Sequence, residues 1–186
     1  GAEAVEPVNL PRVATVWLGG CSGCHMSLLD MDERLLDLAG RMELVYSPLM
    51  DIKQFPEGVD ITLVEGAVAN EDNARMLRLV RERTGILVAF GDCAVAGNVT
   101  ALRNPAGATL AVLQRSYGTD AARMPGLPAP QAEVPPLEPR VTNLRALVPV
   151  DYYLPGCPPS ADLIFFVLSE LVAGRTLDLQ SRAKLG

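Results

Sequence analysis

Three apolar runs in this chain each end within two residues of a glycine and lead within a few residues to cysteine. Arg12–Leu18 runs into Gly19-Gly20-Cys21-Ser22-Gly23-Cys24. Gly85–Phe90 runs into Gly91-Asp92-Cys93-Ala94, and Val148–Leu154 into Pro155-Gly156-Cys157-Pro158-Pro159. Short β-branched or apolar runs bounded by glycine and proline read as strands, and an unbroken one such as Gly85–Phe90 suits the middle of a parallel sheet covered on both faces. In open sheets of that kind, ligands collect in the crevice outside the carboxyl ends of the strands. All four cysteines of the chain are therefore expected at one end of one sheet.

The stretches between these runs supply the remaining elements. From Cys24 to Ala39 the apolar residues Met26, Leu28, Leu29, Leu35, Leu36 and Leu38 fit a helix stopped by Gly40. Leu44–Leu49 reads as a second strand and Asp60–Val64 as a third, leading into Glu65-Gly66. Asn70 caps a helix with Glu71 and Asp72 in its first turn and Met76, Leu77, Leu79 and Val80 on its inner side. A short helix is expected after Cys93. Ser160 caps a last helix, Ala161–Ala173, apolar nearly all round and ended by Gly174.

Strand and helix thus alternate five times, which predicts a three-layer α/β sandwich, flavodoxin-like, with a five-stranded parallel sheet. Residues 1–11 read as an arm, 12–174 as the domain and 175–186 as a tail. Within the domain, proline density makes 105–149 a long insertion, a loop interrupted by a helical piece near Ala108–Arg115.

At 186 residues the chain has room for one well-buried domain, and a 49% share of hydrophobic residues with only 5% aromatics describes an aliphatic core. The net charge of −6, with no Lys/Arg block, argues against a nucleic-acid partner, because phosphate binding needs clustered cations. No apolar run approaches the roughly 18 residues of a membrane span, so no membrane partner is expected. The first ten residues show no basic n-region, apolar core or twin arginine, and a cytoplasmic location is the expectation. In that reducing compartment, four cysteines are more often metal ligands than disulfides.

Four thiolates gathered at one end of a sheet suit an iron–sulfur cluster or Zn²⁺. Structural zinc usually takes two short knuckles, whereas this chain offers one pair and two singletons. Glycines 19, 20, 23, 91 and 156 would let the backbone approach a bulky cluster and free N–H groups for its sulfides. Four cysteines acting only as small buried hydrophobes are the plain alternative. Glu65 faces the same crevice and is a candidate proton relay, with an ordinary loop carboxylate as the other reading. His25, the single histidine, either tunes the site or packs. Trp17 reads as a packing or interface aromatic, and Asp92 as a cap for the following helix.

Together Trp17-Leu18, Cys21-x-Gly-Cys24, Val64-Glu65-Gly66, Gly91-Asp92-Cys93-Ala94 and Gly156-Cys157-Pro158-Pro159 resemble the small subunit of [NiFe] hydrogenases, over roughly Arg12 to Ala173. The resemblance implies that Cys21, Cys24, Cys93 and Cys157 bind the [4Fe–4S] cluster proximal to a Ni–Fe centre on a large subunit. The short form and Cys24-His25-Met26-Ser27 look like the cytoplasmic NAD-reducing, bidirectional type. That type pairs with a diaphorase module carrying FMN, further clusters and the NAD site. The implied function is electron transfer between H₂ oxidation and that module, with no catalysis by this chain alone. Three departures from the family's patterns bear on this reading. Met26 stands where many hydrogenase small subunits have an acidic residue. The related quinone-oxidoreductase subunit has adjacent cysteines where this chain has C-x-x-C. The loop that binds FMN phosphate in this fold class, Gly19–Gly23, is committed to cysteines, so FMN on this chain is not expected. A structural zinc subunit, and a small subunit of another hydrogenase subgroup reducing a deazaflavin or a disulfide, are the alternatives.

Overall fold

The structure is a computed structural model that describes residues 9–118 and 134–179. The first part of the expected arm, the Met124–Pro128 stretch of the insertion and most of the tail lie outside the described residues. In chain order the elements are β1 (Arg12–Trp17), α1 (Gly23–Leu29), α2 (Arg34–Ala39), β2 (Glu43–Tyr46), β3 (Val59–Glu65), β4 (Val68–Asn70), α3 (Glu71–Arg83) and β5 (Thr84–Phe90). There follow α4 (Asp92–Ala96), α5 (Asn98–Ala101), α6 (Thr109–Tyr117), β6 (Leu137–Thr142), β7 (Tyr152–Leu154) and α7 (Ala161–Val172), with two short 3₁₀ turns, Asn104–Ala106 and Leu144–Ala146.

Five strands pair side by side in the order β2-β1-β3-β5-β7, every neighbouring pair parallel. This is the flavodoxin-like order, whose strand sequence reverses beside β1. The alternation of side chains along β5 divides the core into its two faces. Leu87 and Ala89 join Ala74, Leu77 and Val80 of α3 on one face. Val88 and Phe90 join Met31, Leu38, Ile164, Val167, Leu168 and Leu171 of the α1–α2 and α7 layer on the other. Each such fully buried aliphatic or aromatic side chain contributes on the order of 1.5–3 kcal/mol. The caps expected from sequence are present: Asn70 accepts from the Asn73 N–H at 2.8 Å and Ser160 from the Leu163 N–H at 3.3 Å.

Three features differ from expectation. The helix expected over Cys24–Ala39 is two helices, broken where Asp32 takes φ +51 and Met31 turns into the core at 2% exposure. The break sets α2 on its own axis and leaves Leu36 on the surface. The fifth strand begins at Tyr152, not Val148, because the Val148 N–H closes onto the Leu144 carbonyl and Pro149 has no N–H to pair. The proline-rich stretch also holds a strand: β6 pairs antiparallel with β4. Arg103 bridges the carbonyls of Ala69 and Glu138, and the Asn104 amide both donates to and accepts from the Val141 backbone.

Candidate functional site

Four strands end flush. Across the sheet Trp17 of β1 is in register with Glu65 of β3, Glu65 with Phe90 of β5, and Phe90 with Leu154 of β7. The cysteine loops hang from this row: Cys21 follows Trp17 by four residues, and Cys93 and Cys157 follow Phe90 and Leu154 by three. Cys24 is the second residue of α1, three positions beyond Cys21. The backbone ladder therefore indexes all four thiols to one edge.

They line a single cavity of about 60 Å³ with Glu65, Asp92, Gly156 and Pro158. Cys24 and Cys93 are buried against the sheet edge, and Cys21 and Cys157 stand exposed at the mouth. Among the described residues no group of three or more His, Cys, Asp or Glu is drawn tightly enough to share one ion, so the thiols border a space and do not converge on a point. Burial, then the charge of Glu65 and of the three other thiols, pushes the Cys24 thiol well above its ordinary range. Burial raises Cys93 too, opposed by a hydrogen bond from Thr100. The two buried thiols, Cys24 and Cys93, are thus held in their neutral form in the free chain, whereas a bound metal would deprotonate them outright.

The surrounding backbone leaves room for close approach. Gly91 has φ +86, and a Cβ there would lie 2.2 Å from Cys24 Sγ. Asn98 Nδ2 donates to Cys157 Sγ at 3.4 Å, while Thr100 Oγ1 donates to the Gly19 carbonyl at 3.0 Å and lies 3.9 Å from Cys93 Sγ. A donor to sulfur is a usual means of orienting and tuning a thiolate ligand. Donor set, glycine cradle and sulfur-directed donor fit an iron–sulfur cluster.

Several residues act differently from the sequence expectation. Gly19 does not face the cavity. It forms a bridge with Ala67, and a Cβ on Gly66 (φ +93) would lie 2.8–2.9 Å from the Leu18–Gly19 backbone. Asp92 is not the cap of α4. It is buried, its carboxylate accepts from the Gly156 N–H at 2.7 Å, and its own N–H donates to the Gly156 carbonyl at 2.9 Å, tying the Cys93 and Cys157 loops together. His25 and Glu65, weighed separately from sequence, are one buried pair. Glu65 Oε2 accepts from the His25 N–H at 3.0 Å and pairs with its Nδ1. Trp17 stacks on the His25 ring at 6.0 Å and remains 42% exposed. Asn98 and Thr100 were not foreseen. No pattern in a single sequence marks polar residues five and seven positions beyond Cys93 as neighbours of the thiols.

Fold and site define a class: a flavodoxin-like α/β domain with a four-thiol crevice at the carboxyl edge of its sheet. Within that class, residues 21–171 match the model of the NADH ubiquinone oxidoreductase 20 kDa subunit family, and the chain belongs to that family. It is 43% identical over 173 residues to the delta subunit of the NAD-reducing hydrogenase HoxS of Cupriavidus necator, covering 91% of this chain and 82% of the relative. It is 37% identical over 172 residues to one of the subunits of the F420-non-reducing hydrogenase vhu of Methanocaldococcus jannaschii, covering 92% of this chain but spanning only 59% of that relative. The fold superposes on a chain of the crystal structure of an NAD⁺-reducing [NiFe]-hydrogenase in the H₂-reduced state with a TM-score of 0.88 and 40% identity. That match covers 95% of this chain and 99% of the other.

Proposed function

We propose that this chain is the electron-transfer small subunit of a cytoplasmic NAD-reducing [NiFe] hydrogenase, with Cys21, Cys24, Cys93 and Cys157 holding a [4Fe–4S] cluster. One observation carries the reading. Four thiols are indexed to one sheet edge, in a fold that matches nearly the full length of a chain from an enzyme of that activity. A cluster bound there supplies one-electron transfer. The chain's own residues would bind and orient it, with Asn98 donating to the Cys157 thiolate and Glu65 and Asp92 lining the cavity beside the thiols. Its partners are a large subunit carrying the Ni–Fe centre and a diaphorase module carrying FMN, further clusters and the NAD site. H₂ splitting and NAD⁺ reduction take place on those chains, and this subunit alone is inactive.

The test is iron, acid-labile sulfide and zinc content of the complex purified anaerobically, beside a Cys93→Ser variant. Loss of about four iron and four sulfide per complex, the content of one cubane, supports the reading. Iron unchanged and zinc lowered sinks it and leaves a structural zinc subunit. Co-purification of F420- or disulfide-reducing subunits in place of a diaphorase would assign the chain to another hydrogenase subgroup.

A further inference from the structure

Glu65 ends the one strand of the flush row that leads to no cysteine. Its neighbours Trp17 and Phe90, and Leu154 beyond, run on to Cys21, Cys93 and Cys157. In its place β3 presents a carboxylate to the cavity at 2% exposure. A carboxylate that deep requires hydrogen-bond partners. The partner is the residue that follows Cys24.

Helix α1 is short, and its N-terminus lacks the usual support. Ser22, the residue before it, sits at φ +67 and makes no side-chain cap. Its hydroxyl turns back to the Cys21 carbonyl. In an ordinary helix start the capping side chain accepts from the N–H of the second or third helical residue. The third residue of α1 is His25, and its N–H goes to Glu65 Oε2 at 3.0 Å, so the cap arrives from another strand. The same oxygen holds the imidazole through Nδ1. The ring is fully buried and lies 6.0 Å from both the Trp17 and the Phe90 rings, over the two residues that flank Glu65 in the row.

On the reading that the four thiolates hold a cluster, we infer that Glu65 is a positioning residue for Cys24, acting through His25 as a cap supplied in trans. It references the deepest ligand, whose Sγ lies against Gly91, to the strand ends that carry the other three. On this inference Glu65 is a structural fixture of the cluster's inner side.

The test uses the intact anaerobic complex and Glu65→Ala and Glu65→Gln variants. It measures iron and sulfide per complex, the electron paramagnetic resonance spectrum of the reduced cluster and its midpoint potential. Glu65→Ala should lose iron, or keep it with altered g values and a shifted potential. Glu65→Gln retains an acceptor oxygen for the His25 N–H and should restore the parent's iron content and spectrum. If Glu65→Ala does not accumulate, the glutamine variant decides. The inference stands on recovery of the complex with the parent's spectrum and is overturned by recovery with a changed one. A Glu65→Ala complex with unchanged iron, spectrum and potential overturns it. So does a Glu65→Gln complex with an intact cluster and no H₂-driven turnover, which would make Glu65 a proton relay. Absence of iron from the parent complex would instead overturn the cluster reading and this inference with it.

Discussion

At the scale of single residues, the site depends on where side chains are missing and where charge is withheld. Gly91 has the left-handed backbone of a residue that must lack a Cβ, and its neighbour is the Cys24 sulfur. We expect Gly91→Ala to displace Cys24, abolish iron retention and destabilise the cluster-free chain by about 1–3 kcal/mol, read by urea denaturation. Cys24 carries a pH dependence of its own. Its folded pKa is raised by burial and then by its negative neighbours, while in the unfolded chain it ionises near about 8.5. The unfolded state therefore releases the proton first. Stability present below about pH 8.5 is lost as pH rises beyond it, by at most about 1.4 kcal/mol per pH unit for one group. In the cluster-free chain the urea midpoint should fall between pH 8 and 10, and Cys24→Ser should flatten that fall. A midpoint indifferent to pH in both chains would contradict the burial of this thiol.

At the scale of elements, the edge strand β7 is three residues long and is pinned from outside. Asp151, just before it, accepts from the Leu87 N–H at 2.8 Å and from Arg81 at 2.6 Å, and returns its own N–H to the Leu87 carbonyl. Burial alone would raise its pKa, but these bonds hold the carboxylate below its ordinary value. This contribution is present above the unfolded pKa and is lost as pH falls through the lower, folded one. We expect Asp151→Ala to cost about 1–3 kcal/mol and to blunt the loss of stability on acidification, measured by thermal melts between pH 5 and 3. The elements also show how much was legible in advance. The five sheet strands followed from unbroken runs and glycine stops, their parallel class from the strand–helix alternation, and the four-cysteine convergence from topology. The break after Leu29 did not, because the apolar spacing from Cys24 to Ala39 suits one helix and only tertiary packing turns Met31 inward. Strand β6 was hidden by Pro139 and its charges, features tolerated on an edge whose hydrogen bonds come from Arg103 and Asn104. The His25–Glu65 pair spans forty positions that no local pattern connects.

At the scale of the whole molecule, three layers enclose an aliphatic core, while the functional edge keeps apolar side chains in the open. Trp17, Met26 two residues past Cys24, and Val99 beside Asn98 are 42%, 46% and 51% exposed. Exposed apolar residues grouped around a cavity mark a surface that meets a partner. If that partner is the large subunit, Met26→Asp should lower its recovery in co-purification severalfold while the isolated chain's melting temperature stays unchanged. Equal recovery would move the interface elsewhere.

The division of the thiols into an exposed and a buried pair also bears on how a cluster would enter such a domain. If the four thiols hold a cluster, an incoming cluster would meet Cys21 and Cys157 at the mouth before Cys24 and Cys93 at the floor. A partner seated over the mouth would block that entry. On the cluster reading, loading would then belong before docking, and the depth of four sulfur atoms would set the order of assembly.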